Sequence, residues 1–321
     1  METVVEQLVT STQPGVAWLA HTCLLDYPVD SPEASAARQV LCDNEQTRAL
    51  LAAYPGGKRT HPYFKWTGAH WILAQLTDLG WPPGDERLRP LLNDTLTWLT
   101  SASHYQAIQV IEGKTRRCAS QEGNALLSSL ALGLADARTE KLAADLVAWQ
   151  WPDGGWNCDR RKTTRNSSYH ETWLPARALL RYARESGDPA AQRAAERACD
   201  LFLERALIYR KSTGELIEAE FGLLHYPAYW HYDLLQALWL LMEAGRLSDP
   251  RCARALDLLE SKRLPGGGYP ADGRRYYQSG KTTVSGYSPA NWGPAGKTKM
   301  NEQVTVRVLI ILRAAGRWQP A

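Results

Sequence analysis

The 321-residue chain has no C-x-x-C pair, no long hydrophobic run and no strong excess of either charge. Each absence excludes a class of protein. No apolar stretch reaches the 18 or so residues that a membrane-spanning helix needs, and mean hydropathy is −0.39. The N-terminus, METVVEQLVTSTQPG, lacks a basic region followed by an apolar one, so no secretory signal is read and a cytoplasmic location is expected. The six cysteines, Cys23, Cys42, Cys118, Cys158, Cys199 and Cys252, are scattered and read as free thiols rather than as a disulfide framework. A net charge of +3 is too mild to imply nucleic acid. Phenylalanine is scarce, with 3 residues against 13 Trp and 14 Tyr. Those two side chains join an apolar face to a polar edge, which suits a pocket wall as well as a core.

What is present is a repeated device. Asp188-Pro189, Asp249-Pro250 and Ser31-Pro32 each place a capping side chain before a proline at the first helical position, and Asp85 and Asp136 open similar segments. After Asp188, apolar residues at 191, 194, 195, 198, 201 and 202 form a helical stripe. Each such helix runs into a glycine-rich or charged loop. The loop glycines Gly57, Gly113, Gly154, Gly214 and Gly267 are spaced by 56, 41, 60 and 53 residues. A period near 50 with this drift fits a repeated helical hairpin with variable loops.

After each loop comes a more apolar helix: WTGAHWILAQLTDLG, SQEGNALLSSLALGLA, HETWLPARALLRYA, HYDLLQALWLLMEAG and NEQVTVRVLIILRAAG, with GVAWLAHTCLLD as a sixth. Helices that are apolar nearly all round are covered on both sides. The pattern predicts an inner, buried helix followed by an outer, amphipathic one, six times. The last inner helix, about 299–315, lacks an outer partner, and a helix at 2–11 is free to supply it and close a ring. An open α-solenoid stacks the same hairpins, but unpartnered helices at both ends favour closure. The fold class expected is therefore all-α, an α/α toroid of about six hairpins, forming one domain over 1–321. The run from about 264 to 298 shows little helical pattern and reads as a loop or lid over the mouth, or as a clamp-like connection.

The stretch WQWPDGGWNCD, residues 149–159, sets three tryptophans around an Asp-Gly-Gly turn. Its QWPDGGWN portion resembles the Q-x-x-D-G-G-W repeat motif of the terpenoid cyclase and protein prenyltransferase superfamily. The match rests on Gln150, Asp153, Gly154, Gly155 and Trp156, with a degenerate copy at LPGGGYP, where Tyr269 stands in the Trp place. The resemblance implies the α/α toroid and a structural role for the motif, its Gln capping a helix and its Trp stacking upon it. Trp149, Trp151 and Trp156 are thus read as a clasp, while Cys158 and Asp159 stay open. The resemblance also suggests an isoprenoid substrate and lyase or transferase chemistry. The D-x-D-D and D-D-x-x-D motifs are missing, which argues against a squalene-cyclase reaction by the usual acid. The GKT triplets at 113, 280 and 296 lack the earlier glycine of a P-loop.

Chemistry is expected where the inner helices begin, since their starts are polar in repeat after repeat. One holds Cys118, Gln121 and Glu122, the next Tyr169, His170 and Glu171, then His231 and Asp233, then Asn301 and Glu302, with His70 earlier. Ordinary helix capping explains a single acid or amide at such a place. The set, with histidines and a cysteine, suggests a shared polar centre. In one form Cys118, His170 and His231 hold zinc or another divalent metal, with one position open for chemistry. The prenyltransferase ligand order of Asp, Cys and His is not reproduced. In the other form Glu122, His170, Glu171, His231 and Asp233 act as proton donors and acceptors without metal.

Trp66, Trp173, Tyr229 and Trp230 are candidate cavity walls, able to stabilise a cationic intermediate. The cations Lys58, Arg59, Lys65, Lys114, Arg116, Arg117, Arg160, Arg161, Lys162, Arg165, Arg274, Arg275 and Lys281 precede inner helices. Sharing one rim, they would draw in an anion such as a diphosphate; dispersed, they are solvated loop charge. The expected function is a cavity enzyme for a small, largely apolar and anionic substrate. A non-catalytic binding or scaffold protein on the same fold is the alternative.

Overall fold

The computed structural model describes residues 3–54, 60–278 and 284–320. The chain is mostly helical. A short helix α1 (Val4–Val9) precedes α2 (Val16–Leu19), which runs on into a π-helical turn at Ala20–Leu24. Then come α3 (Pro32–Asp43), α4 (Glu45–Ala52), α5 (Ala69–Leu79), α6 (Arg89–Leu99) and α7 (Ala102–Gln106). A small hairpin of β1 (Gln109–Ile111) and β2 (Lys114–Arg116) follows. The rest is α8 (Ser120–Ala131), α9 (Ala137–Trp149), α10 (Tyr169–Ser186), α11 (Pro189–Glu204), α12 (Leu234–Glu243), α13 (Ala253–Ser261) and α14 (Glu302–Ala314). The hairpin departs from the all-helical expectation. Its two-residue turn, Glu112-Gly113, has φ of 52° and 68°, and a positive φ at both central positions suits the twist of a tight hairpin.

Capping fixes the helix starts where the sequence places them. Ser31 accepts from the Ala34 amide, Asp188 from Ala190 and Ala191, and Asp136 forms a reciprocal capping box with Thr139. Asp85 and Asp249 cap short 3₁₀ turns that lead into α6 and α13.

Burial separates two kinds of helix. In α12, Leu234, Leu235, Ala237, Leu238, Leu240 and Leu241 are all buried, whereas α11 buries a stripe that includes Ala191, Ala194, Ala195, Ala198 and Phe202 and leaves its other face wet. Helix α5 packs on α8, α8 on α10, α10 on α12, α12 on α14, and α14 on α2 and its π turn, while α2 also touches α5. The amphipathic helices flank this succession: α3 against α2, α6 between α5 and α8, α9 between α8 and α10, α11 between α10 and α12, and α13 between α12 and α14. Helix α1 packs on α2 and its π turn. Beside α14, the Ser11 hydroxyl donates to Glu302 at the helix start, and Thr3, Val4 and Val5 share a surface pocket with Arg317 and Trp318 just beyond its end.

The α8–α10 contact is the closest in consequence for the site. A Cβ at Gly123 would lie 2.5 Å from the Pro175 nitrogen and 2.8 Å from the Leu174 carbonyl carbon. The missing side chain lets the two backbones touch. Pro175 adds to this, because its ring replaces an N–H inside α10.

The 149–159 stretch is a clasp in atomic detail. The Trp156 indole donates to the Leu146 carbonyl, one of the last four of α9, at 2.9 Å. Gln150 donates to the Gly154 and Ala194 carbonyls at 2.8 and 2.7 Å, tying the turn to α11. Asp153 accepts from the Ser167 amide and hydroxyl and from Arg205. Trp151 and Trp156 are each 1% exposed.

The 264–298 run is packed down over its described part. Tyr269, Tyr276 and Trp292 are buried, the Asn301 side chain donates to the Trp292 and Pro294 carbonyls, and the Trp66 indole donates to the Arg275 carbonyl. Lys58, Arg59 and Lys281 of the expected basic rim lie outside the described residues.

Candidate functional site

The clasp has a chemical consequence at its end. Directly after Trp156 the chain turns back alongside β2: the Arg117 amide donates to the Asn157 carbonyl at 3.1 Å, and Arg116 bridges Asn157 in parallel. The next residue on each side of that pairing is a cysteine, so Cys118 and Cys158 stand together. Glu171, in the first turn of α10, completes the group. The Cys118 and Cys158 sulfurs and a Glu171 oxygen all lie within 4.8 Å of one another, the one convergence of three metal-competent side chains among the described residues.

Glu171 is pinned from behind. The Ser120 amide at the start of α8 donates to Oε2 at 3.0 Å, and the Cys158 sulfur is 3.6 Å from Oε1. Glu171 is 8% exposed, whereas both thiols are half-buried. Burial raises the Glu171 carboxyl above its usual range, against the opposing pull of the Ser120 amide. The Cys118 thiol is raised too, by its hydrogen bond to Cys158, by burial and by the Glu171 charge. The place thus disfavours the charged forms of Glu171 and Cys118.

Its neighbour on the helix, His170, faces away. Successive helical residues point about 100° apart, so Glu171 turns toward α8 and His170 toward the segment before α12. There the Tyr232 amide donates to His170 Nδ1 at 2.9 Å, which leaves the ring proton on Nε2. His231 has the opposite tautomer, its Nδ1 donating to the Ala228 carbonyl at 3.1 Å and its Nε2 left as an acceptor. The ring centroids are 6.2 Å apart. Burial, then the Arg275 charge, lowers His170 to about 4 and His231 to about 3, so both are neutral at pH 7. Cys118, His170 and His231, the ligand set read from the sequence, are therefore not brought together as one set; Cys118 meets Cys158 and Glu171 instead.

The remaining acids serve other partners. Glu122 is fully buried, with Oε1 shared by His104 Nε2 at 2.9 Å and Arg117 Nε at 2.7 Å. Asp233 caps α12, accepting from the Leu235 and Gln236 amides, and its other oxygen is 3.2 Å from His225 Nδ1. His225, with Arg275 at 3.3 Å, was not singled out from sequence, since it lies in a loop and not at a helix start.

The aromatic candidates do converge. Trp66 and Tyr229 stack with centroids 3.7 Å apart, Trp173 donates to the Trp230 carbonyl, and Trp230 stacks on His231 at 3.9 Å and meets His170 edge-on. Lys65 Nζ lies 5.2 Å from the Trp66 ring and 5.1 Å from that of Trp230. The basic candidates disperse. Arg116 is buried over Trp151, Arg117 is paired with Glu122, Arg160 reaches the Ala107 carbonyl, and Arg161 pairs with Asp159 on the surface.

No helix among the described residues is long and apolar enough to cross a membrane. No family model matches the chain, and no curated protein matches it.

Proposed function

We propose that the chain is a metal-dependent enzyme built on an α/α toroid, with its centre at Cys118, Cys158 and Glu171. The toroid reading is supported by the succession α2, α5, α8, α10, α12, α14 and back to α2, with amphipathic helices flanking it. The metal reading is carried by the convergence of two thiols and a carboxylate within 4.8 Å.

The donor set fits zinc. A tetrahedral zinc with sulfur at ~2.3 Å and oxygen at ~2.1 Å requires about 3.6 Å between those two donors, and Cys158 Sγ lies 3.6 Å from Glu171 Oε1. Thiolate donors select zinc over the hard cations magnesium and calcium. A divalent cation would also offset the burial that raises Glu171 and Cys118 and the Glu171 charge that adds to the shift at Cys118. Three protein ligands, two of them on half-buried residues, resemble catalytic rather than closed structural sites. When bound, the ion would supply Lewis acidity at its remaining position.

The chain's own groups do the rest. The Ser120 amide holds Glu171 in place. His170 offers an N–H and His231 a lone pair, a neutral donor and acceptor side by side. Lys65 between two indoles offers a cation beside an apolar wall, which suits a small apolar substrate with an anionic end. Together with the clasp resemblance, this supports an isoprenoid substrate and lyase or transferase chemistry.

The test is incubation of the zinc-loaded protein with allylic isoprenoid diphosphates, following pyrophosphate release. Release is expected from the native chain and is lost in Cys158→Ala with the fold intact. No consumption by the native chain would overturn the isoprenoid reading, and unchanged release by Cys158→Ala would overturn the metal one.

A non-catalytic reading has one observation in its favour. The space among Gln75, Asn124, Trp173 and Tyr229, where a toroid's interior would be, holds only about 10 Å³, room for a single water. A substrate of the metal centre would then be met at the mouth beside it.

A further inference from the structure

The same helices line a further cavity of about 230 Å³. Asp78 of α5, Ala131 of α8, Arg177 and Arg184 of α10, Glu243 of α12 and Arg307 of α14 line it. Cys118, Cys158, Glu171, His170 and His231 are not among its lining residues.

Its charges do not balance. Arg177 is matched by Glu243 through two 2.7 Å bonds, and Arg181 by Glu185 at 2.7 Å. Arg184 donates to the Glu243 carbonyl, which carries no charge. Arg307 is 5% exposed and donates only to uncharged acceptors: the Gln303 carbonyl and amide oxygen, the Asp78 carbonyl and the Tyr226 hydroxyl, at 3.0, 2.8, 2.8 and 3.2 Å. Against these two cations stands the Asp78 carboxylate, 3.9 Å from Arg177. One positive charge is left over, and a guanidinium this buried is costly without a counter-charge.

Leu127, Leu180, Leu235 and Trp239 supply apolar wall. A dry cavity of roughly 150 Å³ accepts benzene, so 230 Å³ leaves room for a charged group as well. We infer that this cavity binds a small organic monoanion, a carboxylate on a compact apolar body, with Arg184 on the rim as donor and Arg307, whose terminal N–H groups are already taken, supplying its buried positive charge. The inference uses none of the residues of the metal reading and stands or falls apart from it.

The experiment is calorimetric titration of the full chain with sodium benzoate at constant ionic strength, beside benzyl alcohol and inorganic phosphate. One saturable benzoate site per chain is expected, with benzyl alcohol weaker by at least about tenfold, as expected when a charge-assisted hydrogen bond is lost. Arg307→Gln should weaken benzoate by about as much. Should that variant unfold, Arg184→Ala on the exposed rim and Ala131→Trp, which fills the space, test the same point, and both should weaken benzoate. Absence of saturable benzoate binding, equal binding of the alcohol, preference for phosphate, or unchanged affinity in Ala131→Trp would each overturn the inference.

Discussion

The chain builds the same clasp twice, and only the first copy carries a thiol and a carboxylate at its end. At 151–156 the Trp151 amide donates to the Gly155 carbonyl, Gly154 donates back to Trp151, and the Trp156 amide donates to the Thr172 hydroxyl. At 264–269 Leu264, Gly268, Gly267, Tyr269 and Thr305 make the same three bonds. Ser168 donates to the Trp156 carbonyl and Asn301 to that of Tyr269, both at 2.8 Å, each where its inner helix begins. Counting along the chain from these matched bonds, Cys158 corresponds to Ala271 and Glu171 to Val304, and both of these are buried and apolar. The clasp therefore needs neither the thiol nor the carboxylate. Their presence at the first copy is unexplained by architecture, which is the strongest argument that they serve a function.

The largest effect should fall on the clasp itself. Trp156→Ala removes a fully buried indole and its bond to the end of α9 and should cost about 3–5 kcal/mol in denaturant unfolding. Trp156→Phe keeps most of the burial and should lose about 1 kcal/mol with the hydrogen bond. Equal losses for the two would show that the indole N–H, not burial, holds the clasp.

Next comes the backbone contact that sets Ser120 against Glu171. Gly123→Ala drives a Cβ into Pro175 and should cost about 1–3 kcal/mol, with weaker zinc binding by competition titration. The same change at Gly187, which has no neighbour for a Cβ, leaves zinc affinity unchanged.

A smaller, graded effect is expected from pH. His70 at the start of α5 is held to about 3 by burial, then by the Arg117 and His61 charges. Its folded value lies below the unfolded 6.5, so the unfolded chain binds the extra proton between the two. Stability should then be full above pH 6.5 and fall as pH drops toward 3, by about 1.4 kcal/mol per pH unit for this group. His70→Gln should flatten that slope in urea unfolding at pH 7.5 and 5; an unchanged slope would assign it elsewhere. The smallest effect is at the surface, where Arg161→Ala should leave melting temperature and zinc affinity unchanged, because its pairing with Asp159 is in solvent.

Much of the fold was legible because caps and periodicity are local. Asp136, Asp188 and Ser31 cap the helices that the sequence assigns to them, and Gly154 and Trp156 form the turn that the motif implies. The centre was legible only in part. Cys118, His170, Glu171 and His231 stand out as polar residues at helix starts, but position along a helix does not reveal which flank a side chain takes. His170 and Glu171 are adjacent and serve different neighbours. Cys158 joins the centre through backbone pairing of 116–117 with 157, a contact across forty residues that no local pattern encodes. The signal that would have found it is the comparison of the two clasps, Asn157-Cys158 against Pro270-Ala271.

The most direct measurement is metal content per chain by elemental mass spectrometry, on protein purified without chelator and again after zinc loading. Native protein, Cys158→Ala, Glu171→Gln and the second-clasp control Tyr269→Phe should be compared. About one zinc per chain is expected in the native protein and the control, and almost none in the two site variants. Native protein that fails to hold zinc after loading, or a Cys158→Ala variant that keeps it, would contradict the metal centre.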